Sequence, residues 1–247
     1  MAVKRNYARY GATTTFFDSV ADFLSSPIPG KGADEAAAVS IHYGAAFMDL
    51  LIEDRGSDST IVLFHAAIDP RQTTLPVFVG RHMVEGIEAN VVYVSDPSLD
   101  HGASIGWFTG DESRPFQDDL TACLNHIFTS FHPDVSASEL GRKAIFFGAS
   151  AGGFAAMYYS HRFPGSLAVV SNPQTHIGRY LEPQVKAYRK KCWSSRKLSE
   201  TTITFDLVTE YSKGFDNYVA YLQNKDDELH YTCLLYTSPS PRDRQKS

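Results

Sequence analysis

Arg142-Lys-Ala-Ile-Phe-Phe-Gly-Ala-Ser-Ala-Gly-Gly-Phe-Ala-Ala-Met157 is the stretch whose reading decides the fold. It opens on a short apolar run, Ala144-Ile-Phe-Phe147, that basic residues precede and Gly148 ends, which reads as a strand buried on both faces. Gly148-Ala-Ser-Ala-Gly152 follows, and then Gly153-Phe-Ala-Ala-Met-Tyr-Tyr159, whose composition favours a helix. Strand, G-x-S-x-G and helix together spell a nucleophile elbow. The turn is tight enough to force Ser150 into strained backbone angles. Strand and helix nearly touch there, so the residues two before and two after the serine have to be small, as Gly148 and Gly152 are. A glycine-rich turn that merely contains serine is the plainer alternative, and the matching flanks speak against it.

Working outward, Thr60-Ile-Val-Leu-Phe64 and Ala89-Asn-Val-Val-Tyr-Val-Ser95 read as buried strands before the elbow. Pro115 to Phe131 reads as a helix, with Phe116, Leu120, Cys123, Leu124, Ile127 and Phe131 at three-and-four spacing. After the elbow helix, Pro164-Gly165 turns the chain into a strand over Ser166-Leu-Ala-Val-Val170, and Asn217-Tyr-Val-Ala-Tyr-Leu222 reads as the last strand. Ala37 to Tyr43 and Ala46 to Glu53, around Gly44, suggest an antiparallel pair. Thr15 to Leu24 is expected to be a short amphipathic helix, broken by Ser25-Ser-Pro-Ile-Pro-Gly-Lys-Gly32. An antiparallel pair leading into alternating β and α units is the order of the α/β-hydrolase fold, with a mainly parallel sheet flanked by helices. The expected division is an N-terminal extension over 1–35, an α/β domain over 36–231 whose residues 177–216 form a cap over the strand ends, and a tail over 232–247. No internal repeat is evident.

Composition narrows the function. The 247 residues are 43% hydrophobic, enough to bury one large core. A net charge of −5 gives no reason to invoke nucleic acid or an anionic membrane. Nine histidines lie scattered without metal-ligand spacing, so no metal is expected. Three cysteines, Cys123, Cys192 and Cys233, are too few and dispersed for a disulfide framework and suit a reducing compartment. The charged start lacks an apolar core after it, and no apolar run approaches spanning length, so a cytoplasmic protein without an integral membrane segment is expected. Composition leaves the oligomeric state open.

An esterase-like site needs a nucleophile, a histidine base, an acid to orient it and an oxyanion hole. Ser150 is the nucleophile, and the Ala151 N–H at the helix start is the first oxyanion donor. The second should come from the loop after Thr60–Phe64, at the backbone of Ala66 or Ala67. His65 there either shapes that loop or is a satisfied strand-end histidine. In this fold the acid follows the serine and the histidine follows the acid. Ser171-Asn-Pro-Gln-Thr175 offers no carboxylate, which leaves Asp226 and Asp227, with Asp227 preferred. Two sources of the base stay open: His230, three positions after Asp227, and a histidine in a natural continuation of the chain. His65, His101 and His176 all follow strand ends and are expected on the substrate-binding side. No organic cofactor is required.

Several strings resemble bacterial α/β-hydrolase-like proteins often found with cell-surface polysaccharide genes. They are Ser95-Asp-Pro-Ser-Leu99, Gly106-Trp-Phe-Thr-Gly110, Phe147 to Ala156, Phe163-Pro-Gly-Ser166, Asn172-Pro-Gln-Thr175 and Gln223 to His230. The group is distantly similar to an accessory secretion protein that modifies exported serine-rich adhesins. The resemblance spans roughly residues 60–231 and implies Ser-Asp-His machinery acting on a small-molecule or glycan-linked acyl substrate. A serine hydrolase is therefore expected. The alternatives are an acyltransferase that modifies a glycan, and a non-catalytic binding or assembly protein on the same scaffold. Cys233 to Ser247 resembles a translated sequencing-adaptor read-through, so 232–247 is expected to be an unstructured, non-native tail. On that reading this chain lacks a well-formed base.

Overall fold

Thr60–Phe64 is buried at all five positions and sits near the centre of an eight-stranded sheet. The computed structural model describes residues 4–33, 35–69, 71, 73–224 and 226. The strands are β1 (Thr13–Phe17), β2 (Ala37–Tyr43), β3 (Ala46–Glu53), β4 (Thr60–Phe64), β5 (Asn90–Ser95), β6 (Ala144–Ala149), β7 (Leu167–Ser171) and β8 (Tyr218–Leu222). Their order across the sheet is β1-β2-β3-β5-β4-β6-β7-β8. β3 runs antiparallel to both its neighbours, and every other pairing is parallel. This is the α/β-hydrolase fold that the order of elements implies.

Helices α1 (Val20–Leu24), α2 (Phe116–Phe131) and α3 (Ala151–His161) share one continuous apolar core with one face of the sheet. In α2 the predicted stripe turns inward, with Phe116, Leu120, Cys123, Leu124 and Ile127 buried. α3 is buried on every side from Ala151 to Ser160, because its glycines and alanines let it lie against β6 and β7 at once. The opposite face carries a second, smaller core of Leu51, Ile61, Leu63, Val91 and Tyr93. Tyr7 and Tyr10 from the N-terminal segment, with Phe78 and Val84 from the chain before β5, close it. Arg5 pairs with Asp49 of β3 and with Asp100, and the Tyr7 hydroxyl donates to Asp49 Oδ1 at 3.1 Å. Burial lifts the Asp49 carboxyl to about 6 although Arg5 opposes the shift.

The stretch expected to be one helix over 15–24 divides in two. Thr13–Phe17 is a strand that pairs in parallel with β2, and only Val20–Leu24 is helical. The consecutive β-branched threonines favour the strand. Ser19 then caps α1, its side chain accepting from the Asp22 N–H at 3.1 Å. The segment 177–216 contains α4 (Glu182–Cys192), α5 (Leu207–Tyr211) and short 3-10 turns. Among the described residues no helix is long and apolar enough to cross a membrane.

Candidate active site

Register brings the site together. Phe64 at the end of β4 pairs with Gly148, and Ala149 pairs with Ser171 at the end of β7. The chain leaving β4, β6 and β7 therefore emerges side by side at one edge of the sheet. Ser150 stands between β6 and α3 with φ 54° and ψ −116°, the left-handed half of backbone space that side chains disfavour. A Cβ on Gly148 would lie 2.1 Å from the Gly152 carbonyl oxygen, and one on Gly152 would lie 2.4 Å from the Phe64 carbonyl oxygen. The close approach expected from the sequence is therefore physical. The Ala151 N–H opens α3 and, like the other first-turn amides, has no partner within the helix.

Ser150 Oγ accepts a hydrogen bond from Gln174 Nε2 at 2.9 Å. Gln174 is fully buried and leaves β7 through Asn172 and Pro173. Its amide orientation is fixed from behind. Trp107 Nε1, which can only donate, bonds to Gln174 Oε1, so the amide nitrogen has to face the serine. The Gln174 N–H also donates to the Ser150 carbonyl at 3.1 Å, and the Ser150 N–H donates to the Ser171 carbonyl at 3.0 Å.

Trp107 and Phe108 both have positive φ, 54° and 56°, an arrangement costly enough to need outside support. The Asp96 carboxylate supplies it by accepting from the Phe108 N–H at 3.1 Å, while its other oxygen accepts from the Ser98 N–H and hydroxyl at 3.0 and 2.6 Å. The Tyr159 hydroxyl of α3 donates to the Phe108 carbonyl at 2.8 Å. From the outer side, the Trp107 ring meets Tyr180 and Tyr188 edge-on. Tyr180 and Tyr188, both within 177–216, thus pack against the loop that carries Trp107.

His65 is buried and committed at both nitrogens. Nδ1–H donates to the Ala66 carbonyl at 2.7 Å, and Nε2 accepts from the Asp96 N–H at 3.1 Å. Burial lowers its pKa against the pull of Asp96, so the ring stays neutral, as these bonds require. His101 Nε2 lies 2.6 Å from Asp111 Oδ2, and this bond raises the His101 pKa. His176 follows the loop after β7, its ring edge-on to Phe205 and its pKa lowered by burial. Its Nδ1 is buried without a hydrogen-bond partner among the described residues. Ala66 and Ala67 lie in the loop after β4, Ala66 half-buried and Ala67 exposed. Asp227 and His230 lie outside the described residues. Asp226 is exposed, and the loop that carries it is tied to the β7 exit, the Asn224 N–H donating to Asn172 Oδ1 at 2.7 Å.

The structure thus brings Ser150 and Ala151 to the same sheet edge as the loop of Ala66 and Ala67, and adds Gln174 and Trp107. Sequence reasoning missed the last two as site residues. The signals available were the glycines on either side of Trp107 and the proline before Gln174.

No protein-family model and no curated protein matches the sequence. Solved structures do match in fold. The capsule O-acetyltransferase of Neisseria meningitidis serogroup A superposes with a TM-score of 0.57 at 12% identity, over 86% of this chain and 81% of that one. Prolyl oligopeptidase B from Galerina marginata gives a TM-score of 0.52 at 14% identity, over 82% of this chain and 30% of the peptidase. Porphyromonas gingivalis dipeptidyl peptidase 4 gives 0.50 at 13% identity, over 83% and 30%. At these identities the likeness is one of fold.

Proposed function

We propose that the protein is an esterase-like serine enzyme that cleaves a carboxylic ester through an acyl intermediate on Ser150. The observation that carries this reading is the turn at Ser150. A non-glycine residue is held at φ 54° between β6 and α3, where a helix begins. Ser150 would attack the carbonyl, and the Ala151 N–H with that of Ala66 or Ala67 would receive the oxyanion. His65 serves the second donor indirectly. By bonding the Ala66 carbonyl it fixes the peptide plane that also carries the Ala67 N–H. Asp227 would orient the base and His230 would take the serine's proton, unless a histidine in a continuation of the chain does so. His101 and His176 belong to the substrate side. The three cysteines fit a reducing, cytoplasmic setting, and Cys123 and Cys192 are buried thiols.

A second reading is transfer of the acyl group to a sugar hydroxyl, with the same intermediate resolved by a glycan instead of water. The fold shared with a capsule O-acetyltransferase and the resemblance to proteins of polysaccharide loci support it. The reading of a binding or assembly protein gains if Ser150 proves unreactive.

An active-site-directed fluorophosphonate tests the proposal. We expect it to label Ser150 and the label to vanish in Ser150→Ala. Labelling that survives the substitution, or no labelling of the natural enzyme, would overturn the reading. Acetyl transfer from p-nitrophenyl acetate to oligosaccharides, followed by mass spectrometry, separates transfer from hydrolysis.

A further inference from the structure

We propose that the Gln174 amide is a catalytic hydrogen-bond donor to Ser150 Oγ that acts chiefly on release of the acyl group, with Trp107 as its positioning residue. The inference rests on the acyl-enzyme reading above. Its basis is the relay already described, in which the donor-only indole of Trp107 holds Gln174 Oε1 and leaves Nε2 bonded to Oγ at 2.9 Å. Both side chains are fully buried, so the amide has no freedom to turn away.

In acylation Oγ forms a bond to the acyl carbon, its proton passes to the histidine base, and the leaving alcohol departs with that proton. The oxygen starts as a hydroxyl, a good acceptor, and ends as an ester oxygen, a poor one. The amide bond is therefore weaker in the acyl-enzyme than in the free enzyme. In deacylation a water or sugar hydroxyl adds to the acyl carbon and gives its proton to the base. The C–Oγ bond then breaks, the electron pair stays on Oγ, and the base returns the proton to it. Negative charge grows on Oγ where Nε2–H already points, and a hydrogen bond to a charged acceptor is the stronger kind. Only an interaction that strengthens toward the transition state accelerates a step. The donor consequently raises the energy of the acyl-enzyme relative to free enzyme and speeds its breakdown.

Gln174→Met keeps the side-chain volume and removes the donor. With p-nitrophenyl acetate we expect deacylation to slow about tenfold while acylation changes less. Acetyl-Ser150 then accumulates, seen as a p-nitrophenolate burst and as acetylated protein by intact mass spectrometry. Gln174→Glu preserves the acceptor for Trp107 but offers no proton when ionised. Its burst should match that of Gln174→Met at pH above the value to which burial lifts the new carboxyl and shrink as pH falls through that value, whereas the Gln174→Met burst should not. Trp107→Phe, which frees the amide to rotate, should give a smaller burst and serves if Gln174→Met does not fold. A fluorophosphonate-reactive Ser150 with unchanged burst in these variants overturns the inference and leaves the acyl-enzyme reading intact. Absence of acetyl-Ser150 from every variant, together with unlabelled natural enzyme, overturns both.

Discussion

The two ends of the parallel sheet handle backbone strain differently. At the amino end, the turns entering β4, β5 and β7 put glycines at positive φ, Gly56, Gly86 and Gly165, where such angles cost little. At the carboxyl end glycines take positive φ too, at Gly102 and Gly110 after β5, but so do Trp107, Phe108, Ser150 and Asn172, which carry side chains. A turn that has only to reverse the chain can use glycine. One that has to present a side chain at a set place keeps the residue and bears a strain of about 1–3 kcal/mol, held by surrounding bonds. The carboxyl end has those bonds in the Asp96 carboxylate, the Tyr159 hydroxyl and the Gln174 amide. The amino end shows how little a turn needs when nothing is asked of it.

The largest expected effect contrasts space with angle. Gly148→Ala and Gly152→Ala, whose new methyl groups would meet backbone oxygens at 2.1 and 2.4 Å, should each cost about 3 kcal/mol or more in urea unfolding. Gly86→Ala at the amino end meets nothing within 4 Å and should cost only about 1 kcal/mol, from its φ of 76°. Equal costs would erase the distinction between the two ends.

Next comes the support of the strained loop. Trp107→Phe strands the buried Gln174 Oε1 without its donor and should cost about 1–3 kcal/mol, read by the same unfolding. A smaller effect concerns Ser150 itself. Both Ser150→Ala and Ser150→Gly lose the hydroxyl and should not label with a fluorophosphonate. The glycine variant should nevertheless be the more stable of the two by about 1 kcal/mol, because only it relaxes the positive φ.

The smallest is a matter of pH at the pair His101–Asp111, which bridges the loops beyond β5. The bond to Asp111 raises the His101 pKa, so the stability it contributes is complete below the ordinary histidine value and fades as pH rises through the raised one. Burial pushes Asp111 upward, yet its bonds from His101 and Ser113 hold it below the ordinary carboxylate value. That contribution is present above the ordinary value and fades as pH falls through the lowered one. His101→Gln should flatten the alkaline fall in unfolding free energy by about 1 kcal/mol, measured by urea midpoints across a pH series.

Local signals explain what could be read from the chain beforehand. The tight turn at Ser150 was legible because its glycines answer a demand made within five residues, and β4 and β5 because unbroken apolar runs have few other uses. α2 showed itself through its periodic stripe. The strand at Thr13–Phe17 was hidden by the amphipathic spacing of Phe16, Phe17, Phe23 and Leu24, and the threonines and Ser19 were the contrary evidence. The bond from Trp107 through Gln174 to Ser150 joins loops after β5, β7 and β6. No periodicity encodes such a contact, since it exists only once the strand order has set the three exits side by side. The reading of Asp227 and His230 falls outside the described residues.

The unusual cover on the second sheet face has a consequence for synthesis. In the described residues that face is closed by the segment around Tyr7 and Tyr10 and by the segment around Phe78 and Val84, not by α-helices. Arg5 makes ion pairs to Asp49 and to Asp100, and the Tyr10 hydroxyl accepts from the Phe78 N–H at 2.9 Å. A ribosome emits the N-terminal segment first, yet its docking partners leave the exit tunnel as much as 95 residues later. Domains of this size generally acquire structure as units during elongation. Arg5, Tyr7 and Tyr10 therefore wait exposed until Asp100 has emerged, yet these partners are all synthesised before α2 and α3, so this face can be clasped before the helices of the other face exist.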